Sequence, residues 1–208
     1  MNITPETPAT CALEENRDSY RILVSEIMLQ QTQVERVLDK YKVFIRIFPD
    51  FSSLAVAPLA DILKVWQGLG YNRRAVALQK IAISVMKESR GRLPVTREEL
   101  LKLPGIGKYT ASAILTFACN QPNIFIETNI RRVFIHFFFR DRENISDAEI
   151  LPLIEMTLDA GNPREWYYAL MDYGAMLKKT VENPNRKSSH YKKQAPFHGS
   201  NRQLRELS

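Results

Sequence analysis

Cysteine is nearly missing from this chain. Only Cys11 and Cys119 occur in 208 residues, far apart and without metal-ligand spacing. That excludes a disulfide framework and argues for a reducing compartment with no cysteine-built zinc or iron–sulfur site. Long apolar runs are missing too, since charges interrupt every stretch approaching the roughly 18 residues of a membrane span. The start, MNITPETPATCALEENRD, has neither the basic n-region nor the apolar h-region of a secretory leader. Alternating strand patterns are absent throughout. These absences predict an all-α protein of the cytoplasm with no membrane partner.

What is present is helical periodicity. From about Tyr20 to Phe48, Ile22, Leu23, Ile27, Val34, Leu38, Tyr41 and Phe44 recur near 3.6-residue spacing, and Pro49 ends the run. Short segments follow at Ser53–Ala57 and Leu59–Trp66, with Pro58 suited to a first helical turn. Gly68 and Gly70 bracket a tight turn, and Ala75 to Met86 reads as an amphipathic helix. Thr96 and Glu99 form a capping-box signature. Tyr109–Cys119 and Asn129–Phe139 read as buried helices, the HFFF run of the second being assigned to the core. Asp147 and Pro163 open the last two, with Trp166, Leu170, Met176 and Leu177 on the inner face.

The net charge is +6, which favours a polyanionic partner, because each Lys or Arg set against a phosphate releases condensed counterions. From Lys178 onward eight basic residues face only Glu182 and Glu206. This stretch reads either as a solvated tail or as a basic arm on DNA, anchored by Tyr191 and Phe197 and contacting backbone through Lys192, Lys193 and Arg202.

LPGIGKYT, residues 103–110, is the strongest local signal. Gly105 and Gly107 permit a turn closed to other residues, and the helix after them aims its N–H groups outward to form an anion site the size of one phosphate, with Lys108 beside it. The plainer alternative is a helical corner whose glycine is a C-cap. Two carboxylates also stand out. Glu26 lies in SEIMLQQTQ on the first long helix, and Glu127 precedes a helix in FIETNIRR. Glu127 can be a simple N-terminal cap. It can also be the anion that stabilises the sugar cation formed when an N-glycosidic bond breaks, with Glu26 protonating the departing base. The sequence does not show whether the two meet.

SEIMLQQTQV (25–34), VWQGLGYNRRA (65–75), LPGIGKYTASAIL (103–115), ETNIRRV (127–133) and YYALMDYGAM (167–176) together resemble the helix-hairpin-helix DNA glycosylase superfamily, in its adenine-DNA glycosylase and endonuclease III branch. The resemblance implies a two-lobed helical fold and a base-excision hydrolase acting as a monomer on duplex DNA with a lesion or mismatch. It suits work at the nucleoid if the source is bacterial or archaeal. It divides the chain into a divergent segment 1–19, a six-helix domain 20–135 with the hairpin near 97–119, helices 136–177 of a second lobe, and a basic strap 178–208.

Residue by residue, the resemblance makes Glu26 the acid that protonates the leaving base and Gln30 the wedge that enters the stack, with Gln31 beside it on DNA. Tyr109 lies beside the sugar, where bifunctional relatives carry a lysine nucleophile. Asn129 and Arg132 support the catalytic carboxylate, and Arg132 is also assigned to DNA. Three departures follow. Glu127 fills the family's aspartate position, Lys178 aligns with the first of four cluster cysteines, and the domain that reads 8-oxoguanine is not found. No iron–sulfur cluster is therefore expected, only a possible monovalent cation at the hairpin. A uracil or thymine mismatch glycosylase, or a DNA-binding homologue without chemistry, are the competing readings.

Overall fold

The apolar run from Tyr20 to Phe48 forms two helices rather than one. In the computed structural model, which describes residues 13–191 and side chains from Ser19 onward, α1 spans Leu13–Leu29 and α2 spans Val34–Ile47. Cys11, Lys192, Lys193, Phe197, Arg202 and Arg205 lie outside the described residues. Between the two helices Gln31 adopts a left-handed φ of 56°. The carbonyls of Ile27, Met28 and Gln30, freed at the end of α1, accept from the guanidinium of Arg74. Apolar spacing cannot register such a contact, because its donor lies far along the chain.

Five further helices complete the first of two compact units. Asp50 caps α3 (Phe51–Val56) reciprocally: its carboxylate accepts the Ser53 N–H at 2.8 Å, and its own N–H donates to the Ser53 hydroxyl at 3.3 Å. α4 (Leu59–Trp66) and α5 (Arg73–Glu88) flank the turn at Gly68 and Gly70, whose φ values of 92° and 73° call for glycine. Thr96 accepts the Glu99 N–H and opens α6 (Arg97–Leu100), and α7 spans Lys108–Cys119. Trp66, Tyr20, Phe44, Leu54, Ile62, Leu78, Ile81 and Leu100 are fully enclosed, each such side chain contributing about 1.5–3 kcal/mol of transfer free energy. Residues Leu158–Trp166 join this unit: the Asn120 side chain accepts the Arg164 N–H at 3.1 Å, and the Arg164 guanidinium donates to the Ala118 carbonyl.

The second unit comprises Ile126–Thr157 and the chain from Tyr167. It contains α8 (Thr128–Phe138), α9 (Asp147–Thr157) and the part of α10 (Pro163–Thr180) beyond Trp166. A 3-10 turn, Pro184–Lys187, follows. Ile145 and Ser188 pair in a short parallel bridge, in which the Ile145 N–H donates to Lys187 and its carbonyl accepts from Ser189. Ile130, Val133, Phe134, Ile135, Ile150, Ile154, Tyr167 and Leu177 are buried here.

Two core assignments need correction. In the HFFF run only Phe139 is buried, while Phe137 and Phe138 are 47% and 54% exposed. α8 ends at Phe138 and presents its other face inward through Ile130, Val133 and Phe134. On α10 Met176 is exposed and Trp166 only half-buried, whereas Tyr167 and Leu177 are enclosed. Tyr191 is exposed as well and does not anchor the end of the described chain.

Candidate functional site

In the first unit the candidate DNA-facing residues converge on the hairpin. Leu103 and Ile106 are buried and hold the turn against the core. Gly105 has a φ of +80°, and a Cβ there would meet the Ala77 Cβ at 3.1 Å, so both backbone and packing demand glycine. Gly107 is different. It is the N-cap of α7 with a φ of −97°, and a Cβ would meet nothing within 4 Å. The fold does not require a glycine there, and the expectation that both glycines serve the turn is corrected for this one. Lacking a side chain, Gly107 caps nothing, and Lys108 stands exposed on the first turn of α7. The Gln30 side-chain amide donates to the Gly105 carbonyl at 3.2 Å and to the Thr110 hydroxyl at 3.3 Å. Gln31 is exposed beside it. Tyr109, 37% exposed, stands edge-on to Phe125 with ring centroids 5.6 Å apart. Glu26 is half-buried near the end of α1.

In the second unit Glu127 is the N-cap of α8. One carboxylate oxygen accepts the N–H groups of Asn129 at 2.6 Å and Ile130 at 2.8 Å. Partial burial raises its pKa above the usual carboxylate range. The two N–H donors and the charges of Arg132 and Arg131 pull the other way without reversing that. The capping reading is therefore correct, and it leaves the second oxygen of a poorly solvated carboxylate for other partners.

Arg132 is turned inward. It is 3% exposed, and its guanidinium donates to the Asn129 side-chain oxygen at 2.6 Å, the Gly174 carbonyl at 2.5 Å and the Asn183 side-chain oxygen at 3.2 Å. Because arginine only donates, the Asn129 oxygen must turn toward it, leaving the amide nitrogen as the end that can donate elsewhere. Asn185, also buried, donates to the Thr128 carbonyl at 2.9 Å. Asn183 and Asn185 thus hold the residues flanking Glu127. Arg131 serves the far side of α8, forming a bidentate pair with Asp147 at 2.6 and 2.8 Å.

The sequence reading missed Arg74, Gly174, Asn183 and Asn185. An Asn-Pro-Asn tripeptide and a glycine inside a helical pattern are signals of a turn and of close approach, and both were available. Arg74 gave none, since a buried arginine without an acidic neighbour in sequence looks like any surface arginine.

The residues present do not fit a [4Fe–4S] cluster. Such a cluster takes four thiolates, and the sequence holds two cysteines, Cys11 and Cys119. Among the described residues no group of three or more His, Cys, Asp or Glu is placed to hold a metal ion. Nor is any helix among them long and apolar enough to cross a membrane.

A family model described as HhH-GPD superfamily base excision DNA repair protein matches residues 24–153. The chain belongs to that superfamily. Among similar proteins is the adenine DNA glycosylase of Buchnera aphidicola subsp. Baizongia pistaciae, 39% identical over 165 residues, or 77% of this chain and 46% of that protein. The human adenine DNA glycosylase is 34% identical over 178 residues, covering 84% of this chain and 32% of its own length. The chain thus spans about half or less of these curated relatives. Among solved structures, a thermostable thymine-DNA glycosylase superposes with a TM-score of 0.69 at 27% identity, covering 85% of this chain and 83% of that one. A non-covalent endonuclease III–DNA complex gives 0.62 at 21% identity, covering 92% and 86%, and speaks to the fold alone.

Proposed function

We propose that this chain is a monofunctional DNA glycosylase. It binds damaged or mismatched duplex, extrudes one nucleotide and hydrolyses its N-glycosidic bond. The observation that carries the reading is the Glu127 constellation, a carboxyl group held by backbone donors and backed by Asn129 and a buried Arg132. A desolvated, fixed carboxylate suits the stabilisation of a sugar cation more than it suits a cap alone, for which a solvated Asp or Ser suffices. Glu26 is assigned the proton for the leaving base, Tyr109 a place beside the sugar, and Gln30 and Gln31 the opened stack. The Gly105–Lys108 turn is assigned a phosphate, which fits an N-cap glycine that the fold itself does not require.

The base we assign is adenine, the base in the names of the similar sequences, and we place it in a mispair. The second reading, thymine or uracil in a mismatch, is favoured by the likeness to a thymine-DNA glycosylase over most of both chains. Single-turnover incubation with duplexes carrying one adenine, thymine or uracil mispair each, followed by alkali cleavage, separates the two. Strand scission at adenine alone supports the first and at thymine or uracil the second. No release from any duplex, with binding intact, would identify a DNA-binding homologue without chemistry.

A further inference from the structure

Arg74 is the most unusual charged residue of the first unit. Its side chain sits near the start of α5 at 6% exposure, yet no carboxylate among the described residues pairs with it. One terminal nitrogen donates to the carbonyls of Ile27 at 3.1 Å, Met28 at 2.8 Å and Gln30 at 2.5 Å. The other donates to the Thr32 hydroxyl at 3.0 Å and to the carbonyls of Leu69 and Gly70, both at 3.1 Å. The guanidinium also lies over the rings of Trp66 and Tyr71, 5.5 and 5.4 Å from their centroids. Burying a cation without an anion is costly unless its donors are met. Here the two terminal nitrogens are met by the negative end of α1 and by one turn of backbone, while the buried Nε–H has no partner among the described residues.

Two loops are thereby tied to one point. The first is the break after α1, where Gln31 takes its left-handed φ of 56°. The second is the turn from Gly68 to Tyr71, where Tyr71 takes a φ of 49° and the Gly68 carbonyl also accepts from Arg36 at 2.6 Å. Neither loop has a regular ladder to hold those angles. Gln30 is fixed at both ends: its carbonyl by Arg74 and its amide by the hairpin.

We infer that Arg74 is a positioning residue that sets the backbone of both loops together and so places Gln30 for entry into the duplex. The inference about Gln30 rests on the glycosylase reading; the joint control of the two loops does not. Lysine at position 74 keeps a charge but cannot span six acceptors, because it offers one compact ammonium instead of a planar fork.

The test is a double-mutant cycle of Arg74→Lys and Gln30→Ala in the full chain. Affinity is measured for a duplex with a tetrahydrofuran abasic analogue and for undamaged duplex at the same salt. Arg74→Lys should lower the preference for the abasic duplex about 10-fold or more, the equivalent of one or two charge-assisted hydrogen bonds, with undamaged duplex bound as before. Added to Gln30→Ala it should cost almost nothing further. Additive losses, equal weakening on both duplexes, or no loss would overturn the placement of Gln30. Hydrogen exchange forms the second arm: segments 30–33 and 68–71 should speed up together in Arg74→Lys while 103–110 is unchanged. Absence of joint acceleration overturns the inference whatever the duplexes show. Joint acceleration in a protein whose wild type neither prefers the abasic duplex nor releases a base would leave Arg74 as assigned and sink the glycosylase reading instead. Should Arg74→Lys fail to fold, Thr32→Val removes one Arg74 acceptor, along with the long Thr32 hydroxyl contact to the Gln30 carbonyl at 3.4 Å, and should shift both readouts the same way by less.

Discussion

The carboxylate of Glu127 accepts two backbone N–H groups and still holds its proton more tightly than usual, because burial outweighs the donors and the nearby arginines. Its pKa is higher folded than unfolded, so the folded form binds more protons over that window. Stability therefore falls as pH rises from the ordinary carboxylate range through the folded value; the cost is absent below that window and complete above it. Glu127→Gln abolishes the cost. The difference in thermal midpoint between Glu127→Gln and wild type should move in favour of the variant from about pH 4 upward. A difference that does not vary with pH would mean that Glu127 is well solvated. The same variant should release base at least about 100-fold more slowly in single turnover, by loss of a fixed charge at the reacting centre, with duplex binding retained. Gly107 permits a sharper separation of fold from function. Gly107→Ala enters open space at an ordinary φ and should cost no more than about 1 kcal/mol of stability, the usual price of alanine at an N-cap, while weakening duplex binding if a phosphate approaches that backbone. Gly105→Ala meets a left-handed φ and the Ala77 side chain, and should destabilise the protein first. Equal effects from both on thermal stability would contradict the distinction.

At the level of helices, the second unit depends on close contact between α8 and α10. A Cβ on Gly174 would lie 2.3 Å from the Asn129 carbonyl oxygen, a backbone atom with no side chain to move aside. Gly174→Ala should therefore push α10 off the start of α8, costing about 1–3 kcal/mol as overpacking does, and should slow base release further than the lost stability explains. Activity unchanged after a clear fall in the denaturation midpoint would show that the Glu127 constellation tolerates the shift. The helices themselves were largely legible in sequence. Leu59–Trp66 was read at its observed bounds, and Asp147 and Pro163 do open α9 and α10, because proline, capping residues and 3.6-residue spacing are local signals. The break after Leu29 was not legible, since the side chain that meets its freed carbonyls, Arg74, lies more than 40 residues away. The exposure of Phe137 and Phe138 was likewise hidden: composition marks phenylalanine as apolar but does not say which face of α8 meets a neighbour. Glu127, Asn129, Arg132 and the hairpin could be named as candidates from their motifs, whereas the burial of Arg132 could not, because a charge in sequence carries no burial with it.

For the molecule as a whole, the basic balance is the property that a polyanion reads. Eight of the 29 Lys and Arg residues lie from Lys178 onward, against two acidic ones. Part of that charge is already committed: Arg186 pairs with Glu182 at 2.6 Å, and Lys187 donates to the Arg140 carbonyl. Lys178 and Lys179 are exposed at the end of α10, and Lys192, Lys193, Arg202 and Arg205 follow in sequence. If this stretch contacts DNA, it does so through phosphates, since neither its composition nor its place in the chain offers a device for reading bases. Each phosphate contact contributes about 0.9 to the slope of log affinity against log salt. Replacing Lys192, Lys193, Arg202 and Arg205 together with Ala should flatten that slope by about 0.9 for each residue in contact. It should weaken damaged and undamaged duplex alike and leave the single-turnover rate at saturating enzyme unchanged. Lys108→Ala, at the hairpin, should flatten the slope by about one such contact. An unaltered slope in the quadruple variant would make the segment a solvated tail and leave the hairpin and its surroundings to supply the charge. A fall in rate at saturation would instead place the segment in the chemistry of base release, beyond any part in holding the duplex.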